Sequence, residues 1–269
     1  MLTPTVPQDP PKNEQPLMAV LEQVWNSPPT HLEAPSNMIH VWRASLDPPV
    51  RYLERLMCVL SDAEHVRARQ FYFERDRRRF ITGRGLLRVI LGRYLAISPD
   101  RLQLDYGVAG KPAVSASQAR QRIEFSVSHS HGLILYAVTC NGRIGIDVEH
   151  VRTIPNTDHI AERIFSLREY AVFRALPLEQ RQAAFFCGWT RKEAYLKACG
   201  EGLSRELGRI DVSLAPFEPA RRLGIQGDPQ ASSHWSLQQL TPGPGYVAAV
   251  ASEGESGPPL SCFQWPGWL

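Results

Sequence analysis

The sequence predicts an α+β protein of two similar lobes, each a helix packed on a small antiparallel sheet, with the active site between the lobes. Three observations carry this. A chain of 269 residues with 43% hydrophobic side chains can fill a sizeable core, as one large domain or two small ones. Each half reads as a long helical pattern accompanied by short strands, which is the pairing that buries a helix stripe on a sheet face. Asn141-Gly142, set between two apolar runs, is a hairpin signal and makes the strands antiparallel.

Composition narrows the function classes. A net charge of +3 with 21% charged residues is too mild for bulk nucleic-acid binding, so any basic site is local. Cys58, Cys140, Cys187, Cys199 and Cys262 form no C-x-x-C pair and no zinc spacing, and read as reduced thiols. The N-terminus lacks the pattern of a secretory signal, and no apolar run is long enough to span a bilayer. A cytoplasmic protein without membrane or nucleic-acid partners is expected.

Residues 1–37 are Pro-rich and polar, a composition expected to stay disordered apart from a short helix over 17–25. The N-terminal lobe is assigned to 38–142, the C-terminal lobe to 143–252, and a Pro/Gly-rich tail containing Trp265 and Trp268 to 253–269. Residues 38–42 form a first strand, Pro48 and Pro49 break the chain, and residues 52–60 follow. Ser61-Asp62-Ala63-Glu64 is a capping-box pattern. From 67 to 94 the chain reads as one helical stripe beside an arginine-rich face, closed by Ser98-Pro99-Asp100. Most of those arginines are solvated; Arg84 stands apart because Gly83 and Gly85 would let a large anion approach. Lys111 sits in a turn over 106–112. Strands over 123–127, 133–139 and 143–149 form one meander, with Ser128-His129-Ser130-His131-Gly132 as a loop. Helices follow over 158–165, 167–176 and 181–198, the last ended by Gly200 and Gly202. Its core stripe is Phe185, Trp189, Leu196 and Cys199, and Glu193 and Lys197 form an i, i+4 pair beside it. Short strands over 210–214, 235–240 and 246–251 complete the second lobe.

The strand over 143–149 carries the chemistry. Alternation puts Ile144, Ile146 and Val148 on one face and Gly145, Asp147 and Glu149 on the other. Its two carboxylates lie roughly 7 Å apart by strand rise, close enough to serve one hard cation, and the glycine leaves room for a ligand. If Glu193 faces them with Arg84, Lys111 and His129 opposite, the charges make sense around Mg²⁺ and a phosphorylated ligand. That arrangement points to phosphoryl-type transfer by positioning and charge neutralisation. A non-catalytic basic module for nucleic acid or acidic protein explains the arginines but not the carboxylates. Another Mg²⁺-dependent phosphoryl transferase, using ATP, would normally carry G-x-x-x-x-G-K-[ST], which does not occur.

Gly110-Lys111-Pro112, Phe125-Ser126-Val127-Ser128-His129, Gly145-Ile146-Asp147-Val148-Glu149 and the run from Trp189 through Thr190, Arg191, Lys192, Glu193, Ala194, Tyr195 and Leu196 to Lys197, in this order, resemble the 4′-phosphopantetheinyl transferase superfamily, in its Sfp-type two-lobed branch. The resemblance covers roughly residues 38–252. It implies a monomeric pseudo-dimer binding coenzyme A and Mg²⁺, with Mn²⁺ as a possible substitute, between its lobes. The phosphopantetheine arm would pass to a serine hydroxyl of an apo acyl or peptidyl carrier protein, releasing adenosine 3′,5′-bisphosphate. Carriers of fatty-acid, polyketide or non-ribosomal peptide synthesis are all compatible. Carried over by position, Asp147, Glu149 and Glu193 are the metal carboxylates and Glu193 the general base. Lys197 neutralises the leaving group, and Arg67, Arg84, Lys111, Ser128 and His129 hold the coenzyme. Ser126 stands where the family often has asparagine.

Overall fold

The computed structural model describes residues 23–107, 110–118, 122–200, 207–214, 223–228, 230–254 and 256–266. Most of the helix expected over 17–25 lies outside these residues, as do Gly202 and Trp268; the described end, 23–25, is not helical.

The regular elements begin with β1 (Ile39–Ser45), α1 (Val50–Met57) and α2 (Asp62–Arg69). The Ser61 capping box forms as expected, with Ser61 N donating to Glu64 Oε2 at 2.9 Å. The single helix expected over 67–94 is two elements. Arg67 and Arg69 end α2, and α3 (Glu74–Leu95) starts afresh after a turn in which Phe71 folds back on Phe80 at 5.3 Å between ring centres. α3 stops at Ala96, left-handed at φ 52°, and Ser98-Pro99-Asp100 opens a separate 3-10 turn instead of capping the helix.

A hairpin of β2 (Leu104–Tyr106) and β3 (Pro112–Val114) follows, then β4 (Glu124–Ser130), β5 (Leu133–Thr139) and β6 (Ile144–His150). Ser128, His129 and Ser130 thus lie on a strand, not in a loop. α4 (Thr157–Ile164), α5 (Leu167–Ala175) and α6 (Leu178–Cys199) come next, α6 ending at Gly200 with φ 75°. The chain closes with β7 (Ile210–Val212), β8 (Leu223–Ile225), α7 (Ala231–His234), β9 (Trp235–Leu240), β10 (Tyr246–Glu253) and β11 (Leu260–Gln264).

The expected meander through β6 does not form. β5 and β6 meet at the Asn141-Gly142 reversal, yet one sheet runs β11-β1-β5-β4 and the other β6-β10-β9. The reason is burial on both strand faces. Ile144, Ile146 and Val148 of β6 lie against Ile39, Val41, Leu135 and Ala137 of the first sheet, so the turn stacks β6 over its neighbour instead of pairing it. On the outer sides, Trp42, Tyr136 and Val138 meet Leu86, Leu87, Ile90 and Leu91 of α3, while Ala249 and Ala251 meet Ala194 and Ala198 of α6. The layers run α3, first sheet, second sheet, α6. This is a mixed α+β fold with small sheets that are antiparallel except at β1–β11.

Segments near both ends of the described residues, 23–26 and 260–264, join the first sheet. β11, inside the segment read as a tail, pairs parallel to β1, and Trp265 lies 6.1 Å from Trp42. Residues 23–37 are ordered where disorder was expected. Asn26 N donates to Cys262 O at 2.9 Å, Gln264 N donates to Asn26 O at 2.9 Å, and Arg43 lies 4.6 Å over the Trp25 ring. One tryptophan and one stretch of paired backbone outweigh the local proline bias.

Two buried ion pairs tie helices down. Arg88 Nε donates to Glu64 Oε2 at 2.6 Å and its Nη1 caps the carbonyls of Pro99 and Leu102. Lys192 Nζ, fully buried, donates to Glu169 Oε2 at 2.6 Å and to the carbonyls of Ile164 and Leu207. Burial lowers the Lys192 pKa and raises that of Glu169, each opposed by the partner's charge. Removing one partner strands the other charge, so Lys192→Met is expected to lower unfolding free energy by about 3 kcal/mol. Urea denaturation measures it; a loss below about 1 kcal/mol would mean the pair behaves like a surface one.

Candidate active site between β4, β6 and α6

α6 lies directly on the polar face of β6, and Gly145 is why it can. A Cβ at 145 would sit 1.9 Å from Ala194 O and 2.4 Å from Ala198 N, so the space left by this glycine holds helix backbone and not a ligand. The close approach sets Lys197 beside Asp147. Lys197 Nζ donates to Asp147 Oδ1 at 2.7 Å and to Ser128 Oγ at 3.0 Å, and Ser128 Oγ donates to Asp147 Oδ1 at 2.7 Å. The i, i+4 pairing expected between Glu193 and Lys197 is replaced by this longer-range one, because the strand carboxylate is nearer the amine.

Asp147 Oδ2 and Glu193 Oε1 are both buried without a hydrogen-bond partner among the described residues. Burial raises the Asp147 pKa against the opposing charge and hydrogen bond of Lys197. Burial, then the charge of Asp147, raises that of Glu193, with Lys197 opposing. Lys197 therefore offsets only part of the negative charge gathered here. Glu149 is held through one oxygen: Ser130 Oγ donates to its Oε2 at 2.7 Å and Arg152 Nη1 at 3.1 Å.

The other expected residues are spread around this centre. Lys111 Nζ donates to the carbonyls of Ile144 and Lys197, at 2.9 Å each, and burial lowers its pKa. It pins the start of β6 to the end of α6, and only its third N–H remains for a ligand. Ser128 has its one proton committed to Asp147 and acts on a ligand only through Asp147 and Lys197. His129 points the other way, into a cavity of about 480 Å³ lined also by Phe71, Arg79, Phe80, Arg84 and His131. Its pKa is lowered by the crowding of the cavity wall and by Lys197 and Arg79. Arg84 reaches this cavity from α3, 3.5 Å from Glu64 and 5.6 Å over the Tyr106 ring. Gly83 and Gly85 do not admit an anion there: a Cβ on Gly83 meets Ile134 and one on Gly85 meets Leu56, so both serve helix packing. Arg67 is exposed on α2, bonded to Gln70 and 5.6 Å from the ring of Phe71, a residue of the cavity wall, and does not itself line the cavity. A second cavity of about 250 Å³, sharing Pro112 and Val127 with the first, opens beside Lys111 and Lys197.

Sequence reasoning missed Ser130, Arg152 and Arg79. Arg79 was hidden among nine arginines; it lines the large cavity, held by Asp47 through bonds of 2.9 and 2.7 Å.

The sequence is matched by comparison with known proteins. Residues 143–251 match the family model described as 4′-phosphopantetheinyl transferase superfamily, and residues 42–141 match 4′-phosphopantetheinyl transferase, N-terminal. The chain is 43% identical to 4′-phosphopantetheinyl transferase HetI of Nostoc sp., over 87% of this chain and 96% of that protein. The chain belongs to the 4′-phosphopantetheinyl transferase superfamily. A putative 4′-phosphopantetheinyl transferase of Synechocystis sp. is 32% identical over 84% of this chain and 95% of its own length. The 4′-phosphopantetheinyl transferase of Bacillus subtilis is 32% identical over 60% and 69%, and the branch is the Sfp type. Among the described residues no helix is long and apolar enough to cross a membrane.

The oxygens present suit a hard cation. Among the described residues no three His, Cys, Asp or Glu side chains form a ready metal cage, but Mg²⁺ does not need one. It is content with one or two carboxylates, water and substrate phosphate, and Asp147 Oδ2 and Glu193 Oε1 are two carboxylate oxygens without partners.

Proposed function

We propose that this phosphopantetheinyl transferase works at the junction of β4, β6 and α6, moving the 4′-phosphopantetheine arm of coenzyme A to a serine hydroxyl of an apo carrier protein. The observation that carries the placement is the pair of buried, unpartnered oxygens Asp147 Oδ2 and Glu193 Oε1 beside Lys197. In this reading Asp147 and Glu193 hold Mg²⁺, or Mn²⁺ in its place, and Glu149 joins them while Ser130 keeps hold of its Oε2. When bound, the cation neutralises charge on the coenzyme's pyrophosphate.

The chain's own groups do the rest. Glu193 takes the proton of the carrier serine, whose oxygen bonds to the phosphorus bearing the pantetheine arm. The bond from that phosphorus to the bridging oxygen breaks, and adenosine 3′,5′-bisphosphate leaves with the electron pair. Lys197 uses two N–H groups on Asp147 and Ser128 and offers the third to the leaving phosphate. The large cavity takes the nucleotide end, with Arg84, Arg79 and His129 toward its phosphates and Arg67 beside Phe71 of its wall, while Lys111 keeps α6 in register. The two layers of helix and sheet are read as similar lobes of a monomeric pseudo-dimer, acting in the cytoplasm on acyl or peptidyl carriers.

The test is the intact mass of an apo carrier protein after incubation with enzyme, coenzyme A and Mg²⁺. A gain of one phosphopantetheine is expected, and no gain with any of several acyl and peptidyl carriers would overturn the reading. Arg84→Ala is expected to raise KM for coenzyme A about tenfold, by loss of one charge-assisted contact to phosphate, with kcat little changed. An unchanged KM would remove Arg84 from the coenzyme site.

A further inference from the structure

Among the described residues β6 pairs with β10 along one edge only. Its opposite edge presents the N–H groups of Ile146, Val148 and His150, and these are taken by serine hydroxyls of β4 in place of a backbone ladder. Ile146 N donates to Ser126 Oγ at 3.1 Å, Val148 N to Ser128 Oγ at 3.3 Å and His150 N to Ser130 Oγ at 3.2 Å. Serines at every second position of one strand thus match donors at every second position of another. The row joins the two sheets at the site.

Two of these hydroxyls also donate onward. Ser128 donates to Asp147 Oδ1 and Ser130 to Glu149 Oε2, at 2.7 Å each. Each therefore accepts from the backbone just after a carboxylate and donates to that carboxylate, fixing both its height and its rotamer. Ser126 has the same backbone bond, but the residue in the corresponding place is Gly145, which is covered by α6. The row contains its own control.

We infer that Ser130 is a positioning residue for Glu149, and that the serine row uses one half of the molecule to orient the carboxylates of the other. The inference rests on the proposed metal role of those carboxylates. A site oriented this way binds its cation without first reorganising Glu149.

The experiment compares Ser126→Ala, Ser130→Ala and Ser130→Thr. Mn²⁺ binding to the coenzyme A complex is titrated calorimetrically, beside thermal melts and the Mg²⁺ dependence of transfer. Both alanine variants orphan one backbone N–H and are expected to melt lower by similar amounts. Only Ser130→Ala is expected to weaken Mn²⁺ binding, by about tenfold, the equivalent of one hydrogen bond to a charged group, with the half-saturating Mg²⁺ concentration rising in step. Ser130→Thr, which keeps the hydroxyl, restores binding. Equal weakening by both alanine variants, or none by Ser130→Ala, would overturn the inference. If Ser130→Ala does not fold, Ser130→Cys serves instead, since it keeps the volume and weakens the bond. Wild-type protein that binds Mn²⁺ yet transfers nothing counts against the proposed reaction and not against the serine row; wild type that binds no Mn²⁺ overturns the row's role in metal binding.

Discussion

Glu193→Gln is expected to abolish measurable transfer in the intact-mass assay, with kcat lowered by at least about 100-fold, the usual contribution of a positioned general base. The amide keeps the size of the side chain and cannot accept the serine proton. Coenzyme A binding without metal should persist, because Glu193 touches neither cavity wall that the nucleotide is assigned to. The pH dependence has a definite sign. The working form is the carboxylate, and burial together with Asp147 moves its pKa above the ordinary glutamate range. Wild-type activity in limiting metal therefore falls as pH drops through a value above that range. For stability the same shift runs the opposite way. A folded-state pKa above the unfolded one contributes stability that is fully present below the unfolded value and lost as pH rises through the folded value. In chelator, wild type should thus lose melting temperature relative to Glu193→Gln across that window and stay lower at neutral pH. A variant that melts below wild type at neutral pH without metal would show that this carboxylate is satisfied in a way the structure does not contain. Residual transfer within tenfold of wild type would remove Glu193 from the role of base.

Much of this site was legible because strand and helix periods are short-range. Alternation alone put Asp147 and Glu149 on one face and Ile146 and Val148 on the other, and both faces are where the pattern placed them. The Ser61 box and the Gly200 stop are likewise set by adjacent residues. What failed depends on partners distant in sequence. The Asn141-Gly142 turn predicts a reversal correctly and pairing incorrectly, since whether two strands pair or stack is decided by faces covered from elsewhere. β11 comes from a segment whose prolines and glycines read as a tail, because a parallel edge pairing with β1 has no local signature. The Ser126, Ser128, Ser130 spacing was visible, yet its meaning needs β6 beside β4. Lys192 stands inside the run that carries the family resemblance, yet it is a buried tie to Glu169.

Gly145→Ala is the substitution expected to do most damage for the fewest atoms. The added methyl would lie 1.9 Å from Ala194 O, 2.4 Å from Ala198 N and 3.0 Å from the Lys197 carbonyl carbon. All three are helix backbone, so no side-chain rotation relieves the overlap. Restoring ordinary contact moves α6 away from β6 by about 1.5 Å. A shift of that size opens the Ala249 and Ala251 contact with Ala194 and Ala198 across the helix–sheet core. Overpacking of a rigid site with loss of the contacts around it is expected to cost about 4 kcal/mol or more, measured by urea denaturation. It also draws Lys197 from Asp147, now 2.7 Å away, and displacement of about 1 Å at a catalytic group is enough to cost about 100-fold in rate. Gly200→Ala separates this effect from the general effect of substituting a glycine. Its φ of 75° strains an alanine, but among the described residues nothing lies within 4 Å of the new carbon, so about 1 kcal/mol is expected. If both variants lose the same stability, contact between α6 and β6 is not what Gly145 provides. If Gly145→Ala folds less stably yet transfers at the wild-type rate, the helix position does not set the catalytic geometry, and the placement of Lys197 against Asp147 must come from Ser128 and Lys111 alone.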